Sequence, residues 1–177
     1  RLEETITEEN LIQEINKLNQ NETLDGFIVQ LPLPKHINEE RVLLAINPKK
    51  DVDGFHPANF GRMALDLDAF IPATPFGIMQ LLERYKVPTS GKHCVVVGRS
   101  HIVGRPISIL MSQKGPAGDA TVTVAHRRTE KLGEITRQAD IIVMAVRIRE
   151  YLAAGKVKEG VLVIGVGITR VPDESHP

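Results

Sequence analysis

The apolar positions of this chain change rhythm part-way along. In the first half they recur at helical spacing. Leu11, Ile12, Ile15 and Leu18 fall on one face of a helix that Thr7, followed by Glu8 and Glu9, is placed to start. Phe27-Ile28-Val29-Gln30-Leu31 reads as a strand, entered through Asp25-Gly26 and stopped by Pro32 and Pro34. Asn38 suits the cap of a short helix from Glu39 to Ile46, which ends before Pro48. Asp51 to Arg62 reads as loop. Thr74-Pro75 opens a further helix, with Ile78, Leu81 and Leu82 as its apolar stripe. Pro88-Thr89-Ser90-Gly91 then marks a hinge or boundary.

Beyond that point the pattern becomes regular. Strands are predicted over His93 to Val97, Thr121 to Ala125, Ile141 to Val146 and Val161 to Val166. Helices are predicted over Pro106 to Gln113 and Thr129 to Gln138, with a short one near Ala153 to Val157. Short apolar strands alternating with helices imply an α/β fold, its parallel sheet covered on both faces. The expected domains are residues 1–88 and 89–177.

Composition narrows the class. The chain has 177 residues, 42% of them apolar, and no net charge. That is enough for one large domain or two small ones, with a real core. No basic stripe or aromatic-interleaved Arg/Lys tract argues for nucleic acid. No apolar run approaches membrane-spanning length and no secretory signal is visible. Cys94 is the sole cysteine, which excludes an internal disulfide and a cysteine-based zinc cluster, and a cytosolic or organellar compartment is expected. The start, Arg1-Leu2-Glu3, lacks an initiator Met, as a fragment would.

Candidate chemistry gathers in a few segments. Val95-Val96-Val97-Gly98 leads through Arg99, Ser100, His101, Ile102 and Val103 to Gly104-Arg105-Pro106. A buried strand, a turn with two glycines and a helix start form an anion site, where backbone N–H groups and the helix dipole point at one place. A dinucleotide pyrophosphate fits such a turn, as does an ordinary tight βα connection. Ser100 stands where a second Gly of G-x-G-x-x-G would be, and Gly104 comes one place late. His126-Arg127-Arg128 follows the second strand of this half. NAD sites usually place an acidic residue near that strand end; arginines there, with Arg99, suit a ribose 2′-phosphate and point to NADP. Asp51-Val52-Asp53-Gly54 resembles the start of a calcium loop, but Arg62 stands where a bidentate Glu is needed. Its two carboxylates would hold the N–H edge of a heterocycle or cap a turn. Gln30, a lone amide at a strand end, and His56, a lone loop histidine, each have a structural reading beside a chemical one.

Together these segments resemble a known family. Gln30-Leu31-Pro32-Leu33-Pro34, Lys50-Asp51-Val52-Asp53-Gly54-Phe55-His56, Pro72-Ala73-Thr74-Pro75, Gly98-Arg99-Ser100 to Gly104-Arg105-Pro106, and Gly167 to Pro172 occur in the order and spacing of the bifunctional methylenetetrahydrofolate dehydrogenase/cyclohydrolases, the FolD family. The resemblance implies a Rossmann-like NADP domain plus part of a smaller α/β folate-binding domain, with folate held between domains. It implies oxidation of 5,10-methylenetetrahydrofolate with NADP, then hydrolysis of the methenyl product to 10-formyltetrahydrofolate. It further suggests a homodimer paired through the cofactor domain, and a cytoplasmic location is expected. Gln30 matches the glutamine that tunes a catalytic lysine, and Asp53 the aspartate that grips the pterin, with Pro32 beside them. Gly98, Arg99, Ser100, Gly104, Arg127 and Thr74 are the cofactor-side candidates. The matching lysine and a pterin-stacking tyrosine fall upstream of Arg1, so residues 1–177 alone are expected to be inactive as a cyclohydrolase. Arg147 and Arg149 stand where the family has glycine and proline, and Gly165 where it has aspartate. Two other readings are a truncated or decayed non-catalytic nucleotide-binding or dimerisation module, and a dehydrogenase for another substrate. The latter leaves Gln30 to Pro34 unexplained.

Overall fold

The structure, a computed structural model, describes residues 2–146, 152 and 154–167. The chain divides into two compact units, Arg1–Ala73 and Thr74–Pro177.

In the first unit, helix α1 (Glu8–Gln20) starts where expected: Thr7 Oγ1 accepts the N–H of Asn10 at 3.3 Å. Helix α2 (Glu39–Ala45) starts at Asn38, whose Oδ1 accepts from Arg41 N–H at 3.2 Å. Leu11 and Ile15 pack with Ile37, Val42 and Ile46 into one apolar cluster. The Glu8 carboxylate ties the two helix starts together, accepting Asn38 N–H at 2.6 Å and pairing with Arg41 at 2.5 Å. Asn19 ties their ends, donating to Ala45 O at 2.7 Å and accepting Asn47 N–H at 2.9 Å.

Two expectations for this unit need correction. Phe27 to Leu31 makes no ladder among the described residues; a single parallel bridge joins Phe27 to Asp51. A strand exists only where a neighbour satisfies its backbone, and Pro32 and Pro34 have no N–H to offer. Ile28 is accordingly exposed. Asp51 to Arg62 is not all loop, because Pro57–Ala64 forms helix α3. His56 caps it through Nδ1, which accepts Ala58 N–H at 3.0 Å, and Pro57 takes a first-turn position where its missing N–H costs nothing. Only Asn59 and Met63 of α3 are buried, too few for an apolar period to show in the sequence.

The second unit opens with helix α4 (Ala73–Arg84). Its buried stripe is Pro75, Ile78 and Leu82, while Leu81 is exposed, contrary to expectation. The stripe runs through Pro75, Ile78 and Leu82, and at 100° per residue Leu81 falls about 90° to one side of its centre. Strands β1 (His93–Val97), β2 (Thr121–Ala125), β3 (Ile141–Met144) and β4 (Leu162–Gly165) form one parallel sheet in the order β2-β1-β3-β4. Helices α5 (Gly104–Ser112) and α6 (Leu132–Thr136) and a 3₁₀ turn at Ala154–Lys156 connect them. Alternation along the strands sends Cys94, Val96, Ile141 and Val143 to a core with Ile78, Leu82, Ile107 and Met111. It sends Val95, Val97, Ala125 and Ile142 to a second core with Leu132, Ile135 and Val157. The helix α4 thus packs with the second unit through Ile78 and Leu82.

Candidate functional site

The turn after β1 is built around two close approaches. Gly98 has φ +126, and a Cβ there would stand 2.6 Å from Ala145 O, so glycine alone lets the end of β3 come this near. A Cβ on Gly104 would strike the Gly98 carbonyl oxygen, so the second glycine seats α5 on the turn. Ser100 closes the loop. Its Oγ accepts the N–H groups of Val103 and Gly104, both at 3.2 Å, and its carbonyl accepts Arg105 N–H at 2.9 Å. Pro106 has no N–H, and Ile107 N–H donates to Val103 O. The first-turn donors of α5, expected to face an anion, are therefore already used within the turn. What the turn offers a ligand includes the Ser100 hydroxyl proton and the Arg99 side chain.

Beside this turn lies a cavity of about 500 Å³, lined by Gly98, Arg99, Ser100, His126, Arg127, Arg128, Ala145 and Val146. These residues follow or end β1, β2 and β3. The chain runs from β1 to β2 on one side, then crosses to β3 on the other, and such a reversal opens a crevice at the strand ends. Three arginines line the cavity and, among the described residues, no acidic residue does. Among the described residues none of the three is in an ion pair. Arg127 and Arg128 occupy the centre of a turn in which Thr129 N–H donates to His126 O at 2.8 Å. Arg128 N–H donates to His126 Nδ1 at 3.2 Å, which places the ring proton on Nε2. His126, Arg128, Ala145 and Val146 were not singled out individually from the sequence. The strand-reversal rule points to the last two, and the basic cluster contained the first two. Thr74, at the second position of α4, is exposed and does not line the cavity; nor does Gly104.

In the first unit the two carboxylates of the Asp51–Gly54 loop differ. Asp51 is buried, and its Oδ2 accepts His56 N–H at 2.8 Å and Asn59 Nδ2–H at 2.9 Å. Asp53 is half-buried, and no donor among the described residues engages it. Burial first, and the neighbouring Asp51 charge second, raise its pKa above the ordinary carboxylate value. Gly54, at φ +67, lets the loop pass against the Phe70 backbone. Gln30 is exposed, its amide donating to Leu31 O at 3.0 Å, and Pro32 is exposed beside it. Lys50 Nζ donates to Leu18 O at 3.1 Å and Asn21 O at 2.6 Å, at the end of α1. Among the described residues no group of three or more His, Cys, Asp or Glu is placed to hold a metal, and no helix is long and apolar enough to cross a membrane. Arg147, Arg149 and Ile168 to Pro172 lie outside the described residues. Gly165 is exposed, and a Cβ there would meet nothing within 4 Å.

The chain is similar to known proteins over nearly its whole length. The bifunctional protein FolD of Flavobacterium johnsoniae is 67% identical over 175 residues, covering 99% of this chain and 59% of its own length. The chain thus spans about three-fifths of the curated relatives it matches. The crystal structure of the bifunctional FolD dehydrogenase/cyclohydrolase from Campylobacter jejuni superposes with a TM-score of 0.91 at 45% identity, over 99% of this chain and 61% of that one. The Trypanosoma brucei enzyme, solved with NADP cofactor and inhibitor, gives a TM-score of 0.89 at 35% identity, over 98% of this chain and 59% of that one. Residues 1–53 match the catalytic domain of tetrahydrofolate dehydrogenase/cyclohydrolase, and residues 72–176 match its NAD(P)-binding domain. With both domains matched in order along one polypeptide, the chain belongs to the tetrahydrofolate dehydrogenase/cyclohydrolase family.

Proposed function

We propose that this chain carries the NADP site and part of the folate site of an enzyme that oxidises 5,10-methylenetetrahydrofolate and hydrolyses the methenyl product to 10-formyltetrahydrofolate. The observation that carries this reading is the cavity lined by Arg99, Arg127 and Arg128, which among the described residues has no acidic lining and no ion pair to the three. A carboxylate at the end of β2 would hold a ribose diol and repel a 2′-phosphate. Guanidinium groups reverse both preferences, because their planar forks match phosphate oxygens. Ser100 Oγ accepts two N–H bonds and keeps its own proton to donate to an anion. NADP, when bound, supplies the hydride acceptor. Asp53, with two lone-pair-bearing oxygens and no partner among the described residues, is assigned to the paired N–H groups of the pterin.

Gln30 is assigned to orienting a proton-moving lysine. Lys50 does not take that part, since it is bonded to the end of α1, and His56 caps α3. Residues 1–177 alone are therefore expected to be inactive as a cyclohydrolase. Nothing in these features favours a non-catalytic module. The edge strand β2 is uncharged and exposes Val124, which suits pairing with a second copy in a homodimer. A cytoplasmic place in one-carbon metabolism, supplying purine biosynthesis, completes the proposal.

The test is cofactor preference. Arg127→Ala removes a charge-assisted contact of roughly 1.5–3 kcal/mol, so the NADP-over-NAD ratio of kcat/KM falls about tenfold or more. An unchanged ratio removes Arg127 from the site.

A further inference from the structure

The turn that presents the two arginines is held by more bonds than a turn needs. Thr129 N–H closes it onto His126 O at 2.8 Å. Thr129 Oγ1 also accepts His126 N–H at 2.8 Å. The same oxygen lies 3.3 Å from His126 Nδ1, the atom that accepts Arg128 N–H. The hydroxyl takes one N–H on a lone pair, so its own proton is free to point at Nδ1. One side chain thereby holds the backbone of His126 and the ring of His126, and through that ring the backbone of Arg128.

We propose that Thr129 is a positioning residue for recognition of a ribose 2′-phosphate, acting by locking the His126–Thr129 turn that presents Arg127 and Arg128 to the cavity. The inference rests on the reading of this cavity as an NADP site. Both arginines are exposed and free of ion pairs among the described residues, so no carboxylate orients them. A guanidinium fork binds phosphate bidentately only if its stem leaves the backbone in the right direction. A loose turn would add its own ordering cost to that of two long side chains. Removing the hydroxyl leaves every charge in place, yet it strips His126 N–H and Nδ1 of a partner.

Adenosine 2′,5′-bisphosphate and 5′-AMP differ only in the 2′-phosphate, and calorimetric titration of the protein with each separates the outcomes. Wild type prefers the bisphosphate. Thr129→Val, of nearly the same shape, weakens the bisphosphate roughly tenfold and leaves 5′-AMP within about twofold. Thr129→Ser, which keeps the hydroxyl, restores the wild-type ratio. Should Thr129→Val fail to fold, Thr129→Ala is read in the same way. A wild-type ratio in the valine variant, or equal loss of both ligands in a folded variant, overturns the positioning role while the cavity reading stands. A wild-type protein that does not prefer the bisphosphate overturns the cavity reading, and the role of Thr129 with it.

Discussion

Asp51 and Asp53 stand two residues apart and do opposite things. Asp51 is buried and spends its carboxylate on the loop itself, holding His56 N–H and Asn59. Asp53 has no such partner, and its pKa is raised by burial and by the charge of Asp51. A raised carboxylate pKa contributes stability that is present below the unfolded value and lost as pH rises through the folded one. Above its folded pKa the ionised Asp53 therefore costs stability. Asp53→Asn is expected to raise the unfolding free energy at about pH 7, seen as a higher urea midpoint, by less than about 1 kcal/mol because water still screens the group. It should also abolish folate binding while leaving NADP titration unchanged. A destabilised Asp53→Asn that loses both ligands would make Asp53 a turn residue. A stability gain coupled to a loss of binding is the mark of a site kept strained for its ligand.

Among the elements, α1 shows how a lysine beside a family motif can be structural. Lys50 bonds the carbonyls of Leu18 and Asn21 at the helix end, where each oxygen already takes one backbone N–H on its other lone pair and the dipole favours a cation. Lys50→Met should lower stability by about 1 kcal/mol in urea unfolding and leave both ligand affinities unchanged. A variant of wild-type stability that loses catalysis would place the ammonium in the chemistry instead. Legibility also divides by element. The strands of the second unit were readable because a sheet covered on both faces demands unbroken apolar runs such as Cys94 to Val97. The helix α3 was not, because its cap is a histidine ring and its buried face is two residues, one of them Asn59. Phe27 to Leu31 misled because periodicity reports which residues suit a strand, not whether a neighbour is present to pair with it. The turn after β1 was readable as a glycine turn, but not the diversion of its donors to Ser100, which depends on one rotamer.

Across the whole molecule, the acid limb of stability has an identified contributor. Asp140 accepts from Lys158 at 2.5 Å and from His93 N–H at 2.8 Å, tying the start of β3 to the start of β1 and to the approach to β4. Those hydrogen bonds, with the charges of Lys158 and Lys92 adding to them, hold its pKa below the ordinary carboxylate value. A depressed carboxylate contributes stability that is present above the unfolded pKa and lost as pH falls through the folded one. The stability gap between wild type and Asp140→Asn should therefore be full at about pH 7 and narrow toward about pH 3, followed by urea midpoint. A gap constant across that range would assign the effect to geometry alone. The three arginines of the cavity, unpaired among the described residues, have a further consequence, which concerns time rather than equilibrium. A concave wall of one sign concentrates field lines at its mouth, so anions are drawn in and turned before they touch the protein. Capture of a polyphosphate ligand is then fast in dilute buffer and slows as ionic strength rises, while escape, governed by contacts at short range, hardly changes.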